Sequence, residues 1–177
     1  MKIFKIIVAV VLILIAIPLI AALFMEKDYI VEREITINKP ANQVFDYVKM
    51  MKNQEHYSKW VMADPAMKKD FKGTDGTVGA VYGWNGDDEV GEGEQEITKV
   101  TEGERVEMEL RFKRPFENTA NTYIATEPLA PAVTKVKWAM YGKSTYPMNA
   151  MNIMIDGMLG EDMETSLATL KQNLENN

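Results

Sequence analysis

Alternating apolar and polar residues over much of this chain, followed by one long helical pattern, restrict its fold more than any other feature. From residue 29 to 37 and again in segments from 78 to 142, apolar side chains recur at every second position. This spacing predicts strands of an antiparallel sheet that has one covered face. Residues 147–174 change to helical spacing, and no other segment after the strands is long enough to cover such a sheet.

Together these patterns predict an α+β protein with a helix-grip fold, in which a curved antiparallel sheet wraps around a long C-terminal helix. Pro40 is placed to begin a helix over 41–48, and residues 50–60 predict a second helical piece. We expect these two short helices to close one end of the sheet. The predicted strands are 29–37, 78–84, 90–100, 105–112, 119–127 and 134–142, with a tight hairpin at Asn85-Gly86.

The N-terminal segment has the length and composition of a transmembrane helix. Residues 6–25 contain no charged side chain, and such a run, at about 1.5 Å per residue, spans about 30 Å, the thickness of a bilayer core. Lys2 and Lys5 precede it, so the positive-inside rule predicts a cytoplasmic N-terminus and a soluble domain on the exported side, periplasmic or extracellular. We therefore divide the chain into a signal anchor, residues 1–25, and one globular domain, residues 26–177.

A cleavable signal peptide is the alternative interpretation of the same segment. The apolar run is longer than the usual apolar core of a signal peptide. Beside the pair Ala21-Ala22, Leu19 and Ile20 occupy positions where a cleavage site carries a small residue. Both features favour an uncleaved anchor.

Composition argues against several partners and chemistries. The chain has no cysteine, which excludes disulfides, thiolate metal sites and a cysteine nucleophile. His56 is the only histidine, so no two-histidine metal site can form, and we predict neither a metal nor a cofactor. Beyond residue 25 there are 18 basic and 26 acidic residues, a net charge of −8, which argues against nucleic acid as a partner. The segment Gly142-Lys143-Ser144-Thr145 lacks the upstream glycine of a phosphate-binding loop.

The covered face of the sheet and the facing side of the long helix supply the candidate binding residues. Nearly all are apolar, with Gln95 and Thr122 as sparse polar contacts, which is typical of a lipophilic cavity. Gly91 and Gly93 lack side chains on the same face, and so leave room or let the strand bend. The predicted ligand-binding residues are Tyr82, Trp84, Gln95, Met108, Leu110, Phe112, Thr122, Ile124, Trp138, Met140, Met151, Met154, Ile155 and Met158.

The long helix is rich in methionine and contains Gly157 and Gly160. The helical spacing predicts that its apolar residues, from Met151 through Met158 to Leu174, share one face that is either ordinary core or the lining of an adaptable cavity. We expect the two glycines to be the point where the helix bends or opens to admit a ligand. On that interpretation Gly160→Leu impairs ligand uptake more than folding.

From about residue 30 to the C-terminus, ordered motifs resemble a known family. They are Val44-Phe45-Asp46-Tyr47-Val48, Trp60 with Asp64-Pro65, Gly76-Thr77-Val78-Gly79, Tyr82-Gly83-Trp84-Asn85-Gly86, Val90-Gly91-Glu92-Gly93, Pro115-Phe116, Glu127-Pro128, 134–140, and 159–164 with Leu167 and Leu170-Lys171. Their order and spacing are similar to the START-like SRPBCC superfamily, and more closely to its bacterial polyketide cyclase/dehydrase and lipid-transport family. The resemblance implies a START-like helix-grip domain with a hydrophobic ligand cavity, and it implies little about chemistry.

Three functions are compatible with the sequence. The first is membrane-anchored binding or transport of a lipid or other hydrophobic small molecule, with the membrane as a second partner. The second is a cyclase- or dehydratase-like enzyme for an aromatic or polyketide-like substrate, with Tyr82, Glu94 or His56 as proton-transfer groups. The third is a structural or interaction domain with a filled core. We assign no catalytic residue, and a non-enzymatic role is favoured.

Overall fold

The computed structural model describes residues 2–176 and begins with an apolar helix, α1 (Lys2–Phe24). The helix is long and apolar enough to cross a membrane. Apart from Ala22, which is buried, its side chains are exposed or nearly so, as expected for a helix whose surroundings are not protein. The connection from Phe24 to the first strand is three residues long.

The domain contains one antiparallel sheet of seven strands. Their bounds are β1 (Asp28–Ile37), β2 (Lys68–Lys72), β3 (Val81–Asn85), β4 (Glu92–Thr101), β5 (Arg105–Arg114), β6 (Asn118–Ala130) and β7 (Val133–Lys143). The order across the sheet is β1-β7-β6-β5-β4-β3-β2, so the first strand closes against the last and β2 is the opposite edge. The predicted α+β helix-grip architecture is confirmed.

Two features of the sheet differ from the sequence prediction. The edge strand β2 was not predicted, because its sequence KKDFK is mostly charged and shows no alternation of apolar and polar residues. Charged side chains are nevertheless common on an exposed edge strand. The predicted tight hairpin at Asn85-Gly86 is wrong, because Asn85 pairs with Glu92 and residues 86–91 form a longer loop. The Asp87 carboxylate accepts hydrogen bonds from the backbone N–H groups of Glu89 and Val90, which holds the loop in a helical turn.

Three short helical segments follow β1, and they do not all lie at one end of the sheet, because Asp64, directly after the third, binds the backbone of Asp87 in the 86–91 loop. Helix α2 (Ala41–Val48) buries Val44, Phe45 and Val48, and it packs against β6 and β7. The segment expected to be a single helical piece over 50–60 is divided into a 3-10 helix (Met51–His56) and a short helix α3 (Lys59–Ala63). Helix α3 packs on the last helix, α4 (Asn152–Glu175), which follows a 3-10 turn (Met148–Met151).

Fewer apolar side chains of α4 pack against the core than the sequence predicts. Met163, Leu167 and Leu170 are buried, whereas Met154 and Met158 are each 61% exposed. At about 100° per residue, the five-residue step from Met158 to Met163 turns the side chain about 140° around the helix axis. The assignment of one continuous apolar face from residue 151 to 174 is therefore wrong.

Gly160 lies under the side chain of Arg33 and does not mark a bend, since α4 runs unbroken from Asn152 to Glu175. A Cβ atom at residue 160 would collide with the Arg33 guanidinium. From that position Arg33 donates to the Glu164 carboxylate at 2.6 Å and to both Asp156 carboxylate oxygens at 3.0 and 3.1 Å. A Cβ atom at Gly157 would meet open space. Gly160 thus allows β1 and α4 to be joined by an ion-pair network.

Candidate functional site

A cavity of about 280 Å³ lies between the inner face of the sheet, α3 and α4. Its wall is mostly aromatic, aliphatic and thioether side chains, which favour apolar ligands. The lining residues are Gln54, Ser58, Lys59, Trp60, Val61, Ala63, Met67, Tyr82, Trp84, Glu89, Val90, Gln95, Met108, Leu110, Phe112, Thr122, Trp138, Met140, Leu159 and Asp162.

The sheet positions that the sequence proposed for the site are brought together at this cavity. Tyr82, Trp84, Gln95, Met108, Leu110, Phe112, Thr122, Trp138 and Met140 all line it. Ile124 lies on the same face but is fully buried in the main core.

The helix positions proposed for the site lie elsewhere. Ile155 is half-buried against the core, while Met151, Met154 and Met158 are exposed to solvent. The physical reason is the helical rotation described above, which leaves Leu159 as the apolar residue that α4 contributes to the lining. The prediction that the sheet faces these methionines is therefore wrong.

Sequence reasoning missed the part of the wall that α3 and the preceding 3-10 helix supply. Gln54, Ser58 and Trp60 come from this segment, which was expected only to close one end. The signal available was Trp60, a large aromatic residue in a segment of otherwise mixed polarity. Its indole ring meets that of Trp138 edge to face, with ring centroids 5.6 Å apart. This pair joins α3 to β7 within the cavity wall.

Two buried amides form the most protected polar pair in the cavity wall. Gln95 donates to the Gln54 carbonyl oxygen at 2.8 Å, and Gln54 donates back to the Gln95 carbonyl oxygen at 3.4 Å. Both residues are only 5% exposed. Each amide retains unused donor or acceptor capacity, because a primary amide has two N–H groups and two lone pairs on oxygen. The pair can therefore hydrogen-bond a polar atom of a bound molecule.

Thr122 is fully engaged by the wall itself. Its hydroxyl donates to the Ala139 carbonyl at 2.8 Å and accepts a hydrogen bond from the Trp138 indole at 2.9 Å. These bonds fix the Trp138 ring and satisfy its buried N–H group. Thr122 therefore positions an aromatic wall, and its predicted role as a polar ligand contact is not supported by this geometry.

Charged groups lie at the more exposed side of the cavity. The Asp162 carboxylate accepts a hydrogen bond from the Trp60 indole at 3.1 Å and forms a close ion pair with Lys59. That ion pair raises the pKa of Lys59, so the amine stays protonated at neutral pH. Trp84 and Phe112 are half-exposed nearby, with ring centroids 5.9 Å apart. We call this side, bounded by Trp84, Phe112 and the 86–91 loop, the mouth of the cavity.

Tyr82 is the one proposed proton-transfer group that lines the cavity, and its environment holds the phenol protonated. Burial, and then the neighbouring Glu55 carboxylate, raise its pKa well above the ordinary value. The hydroxyl donates to Glu55 at 3.1 Å. Partial burial disfavours the Glu55 charge, but hydrogen bonds from Lys69 and Tyr82 outweigh it and hold the pKa of Glu55 below its usual range. This arrangement stabilises the wall.

The other two groups considered for proton transfer are outside the cavity. Glu94 lies on the outer face of the sheet, where its carboxylate accepts from Arg111 at 2.9 Å. Arg111 also binds Glu96 and Glu109 there. His56 is exposed at the end of its 3-10 helix. The geometry therefore does not assemble the proposed acid and base.

Gly91 and Gly93, at the start of β4, have separate structural roles. Gly93 pairs with Trp84 across the sheet, and a Cβ atom at residue 93 would lie 2.9 Å or less from two atoms of the indole ring. The missing side chain makes room for Trp84, not for a ligand. Gly91 precedes β4 with φ +71°, a left-handed conformation that side chains rarely adopt. Gly91 therefore ends the 86–91 loop.

Solved structures with the same architecture come from plants and bacteria. Truncated norcoclaurine synthase from Thalictrum flavum has a TM-score of 0.66 at 10% identity, over 86% of this chain and 97% of that chain. A second structure of that enzyme, at 12% identity and a TM-score of 0.62 over 87% of this chain and 91% of that chain, is a complex with dopamine and hydroxybenzaldehyde. A protein from Mesorhizobium loti has a TM-score of 0.60 at 17% identity, over 84% and 98% of the two chains. At these identities the likeness shows the fold alone.

The family assignment comes from the sequence itself. No curated protein matches the chain. Residues 29–175 match the model of the family described as "Polyketide cyclase / dehydrase and lipid transport". Apart from Asp28, that range covers all seven strands, and it includes the three short helical segments after β1 and the whole of α4, but not α1. The chain therefore belongs to the polyketide cyclase/dehydrase and lipid-transport family of the START-like SRPBCC superfamily.

Proposed function

We propose that this protein binds a lipid or another hydrophobic small molecule in its cavity while α1 anchors it in a membrane. The observation that carries the proposal is the cavity, whose wall is mostly apolar and holds the Gln54–Gln95 amide pair inside and charged groups at the mouth. The family includes lipid transport in its description. Binding and transfer need no acid or base inside the cavity, in agreement with the position of Glu94 on the outer face.

The cavity dimensions limit the cargo. A volume of about 280 Å³ is close to the lower end of the roughly 300–1,000 Å³ of small-molecule sites. That space suits one acyl chain or one ring system better than a whole phospholipid. We expect the polar end of the cargo to meet the Gln54–Gln95 pair or the charged mouth, since the Tyr82 and Thr122 hydroxyls bind within the protein and most other lining groups are apolar. The proposed contacts are Tyr82, Trp84, Gln95, Met108, Leu110, Phe112, Trp138 and Met140.

Membrane anchoring by residues 1–25, with residues 26–177 as the binding domain, is supported by α1. Its exposed apolar surface would be unfavourable in water and is favourable in lipid. Lys2 and Lys5 at its N-terminal end favour an orientation with the domain on the exported side. Carbonate extraction and protease protection in the producing cell test these two statements separately.

Native mass spectrometry of the full chain released from mild detergent tests ligand binding. We expect an added mass of one apolar molecule, and a melting temperature that falls when the protein is delipidated. In Leu110→Trp the larger ring fills the cavity, so we expect the added mass to disappear. The matched control is Leu129→Trp, which adds the same volume at a half-exposed position on β6, far from the lining.

A wild-type protein that is consistently free of ligand, with the same melting temperature before and after delipidation, would contradict the proposal. Equal retention of the added mass in both tryptophan variants would show that the molecule is bound outside this cavity.

A further inference from the structure

An exposed apolar surface, here called the methionine patch, lies on the first half of α4 and the segment before it. It consists of Tyr146, Met148, Met151, Met154 and Met158, and each is between 44% and 61% exposed. Met151, directly before α4, and Met154 and Met158 within it are spaced i, i+3, i+7, so they share one helical face. That face is opposite the buried Met163 and Leu167, which means that the patch is not the edge of the core.

The outer face of α4 changes character along its length. Beyond the methionine patch, the same face continues with Glu161, Thr165, Ala168 and Gln172, all polar or small and mostly exposed. Between residues 147 and 159 the only charged side chain is Asp156, and it pairs with Arg33 on the side that faces β1. The first two turns of α4 therefore pack Ile155 and Leu159 against the core and expose Met154 and Met158 on the outer side, as expected where a helix contacts a second apolar medium.

The methionine patch is fixed beside the end of α1. The buried Asn149 amide donates to the carbonyl oxygens of Ala22 at 2.6 Å and Met25 at 3.1 Å. Asn152 donates to those of Glu26 and Lys27, each at 3.2 Å. Asn149 thus caps the Ala22 carbonyl in the last turn of α1, and Asn152 binds the connection that follows the helix. The apolar surface of α1 and the patch are thus held next to each other by the fold.

The mouth of the cavity is at the same end of the molecule. Asp28, the first residue of β1, pairs with Lys143, the last residue of β7. Phe112 near the end of β5 pairs with Asn118, the first residue of β6. In an antiparallel sheet these pairs define one end, which is the end reached three residues after α1. Leu159, directly after Met158, lines the cavity.

We propose that the methionine patch docks on the lipid bilayer that holds α1 and thereby places the mouth of the cavity at the membrane surface. The inference rests on the membrane anchoring proposed above. Docking by apolar contact suits a domain with a net charge of −8, which anionic lipid would not attract. Unbranched methionine side chains adapt to an irregular surface such as the boundary between headgroups and acyl chains.

Site-specific labelling of the full chain tests the docking, since the chain has no cysteine of its own. Met154→Cys carries an environment-sensitive fluorophore in nanodiscs of phosphatidylcholine. The control is Glu104→Cys, in the turn between β4 and β5 at the opposite end of the sheet. We expect blue-shifted emission and at least threefold quenching by spin-labelled lipid at position 154, and neither at position 104. The quenching should persist in about 1 M salt, where the Debye length is about 3 Å.

Two double substitutions that insert negative charge test whether the apolar character of the methionine patch causes its contact with lipid. With the label at Met151→Cys, the double substitution Met154→Glu/Met158→Glu is expected to abolish the lipid quenching. The matched control, Ala168→Glu/Gln172→Glu, adds the same charge to the polar half of the same exposed face and should leave quenching unchanged. Equal quenching in both backgrounds would overturn the proposal.

The remaining outcomes separate this inference from the anchoring. If the chain enters nanodiscs but the label at position 154 shows the same emission and the same lack of lipid quenching as the label at position 104, the docking is overturned and the anchoring stands. A chain extracted by carbonate would overturn both. Blue-shifted emission without lipid quenching would show that protein, such as a second copy of the chain, covers the patch instead of lipid.

Discussion

The Gln54–Gln95 pair is the polar contact that most affects the cavity interior at the level of single residues. In Gln95→Leu the Gln54 amide stays buried without its partner, which we expect to lower the free energy of unfolding by about 1–3 kcal/mol. The double variant Gln54→Leu/Gln95→Leu removes both amides and should recover most of that loss. Urea unfolding of the full chain in detergent measures both. A double variant in which the two losses simply add would mean that the pair is not coupled.

The two glycines of α4 provide a matched comparison. Gly157→Ala meets open space and should raise the free energy of unfolding by up to about 1 kcal/mol through helix propensity. Gly160→Ala gains the same propensity but displaces the Arg33 guanidinium, so we expect no gain or a net loss. Thermal unfolding checks the difference. In an Arg33→Ala background both substitutions should stabilise equally, and a persistent difference there would assign it to another cause.

This comparison also replaces the expected gating role of Gly160. A leucine at this position would separate Arg33 from Asp156 and Glu164, so we now expect it to weaken the packing of β1 on α4 directly. The sequence contains both Gly160 and Arg33, but nothing local indicates that residues 127 positions apart meet. The fold was needed to show it.

At the level of secondary structure elements, α4 stabilises the domain through its second half. Leu167 is buried against the core, so Leu167→Ala should cost about 2–5 kcal/mol. Met154 is exposed, and Met154→Ala should change the free energy of unfolding by less than about 0.5 kcal/mol. Chemical unfolding of the two truncations is the measurement. Similar losses would restore the single continuous apolar face that the sequence pattern indicated.

Element types were predictable where one residue spacing dominated. Strands β4 to β7 alternate regularly, and their inward side chains Gln95, Met108 and Trp138 could be placed at the cavity in advance. The edge strand β2 was not predicted, because its residues are mostly charged. The contribution of α3 to the cavity wall was not predicted, because Trp60 reaches the cavity through tertiary packing against Trp138. Residue spacing in the sequence does not encode such a contact.

For the whole molecule, Asn149 determines how rigidly the domain is held against α1. Asn149→Ala removes its hydrogen bonds to Ala22 and Met25, each worth about 0.5–1.5 kcal/mol. We expect the domain to stay folded but to reorient more freely relative to the anchor. A spin label at Glu104→Cys in nanodiscs should then report faster motion by electron paramagnetic resonance. Asn118→Ala, at an exposed strand end, is the control, and equal mobility in both variants would contradict the prediction.

The three-residue connection between α1 and β1 has a consequence for supply and delivery. Three residues extend at most about 10 Å, so a domain whose helix is embedded in lipid cannot travel to a distant membrane. On the proposed function, the ligand would have to be taken up and released within that distance of the membrane that holds α1. The number of anchored copies per area of membrane, rather than their concentration in solution, would then set the rate of exchange.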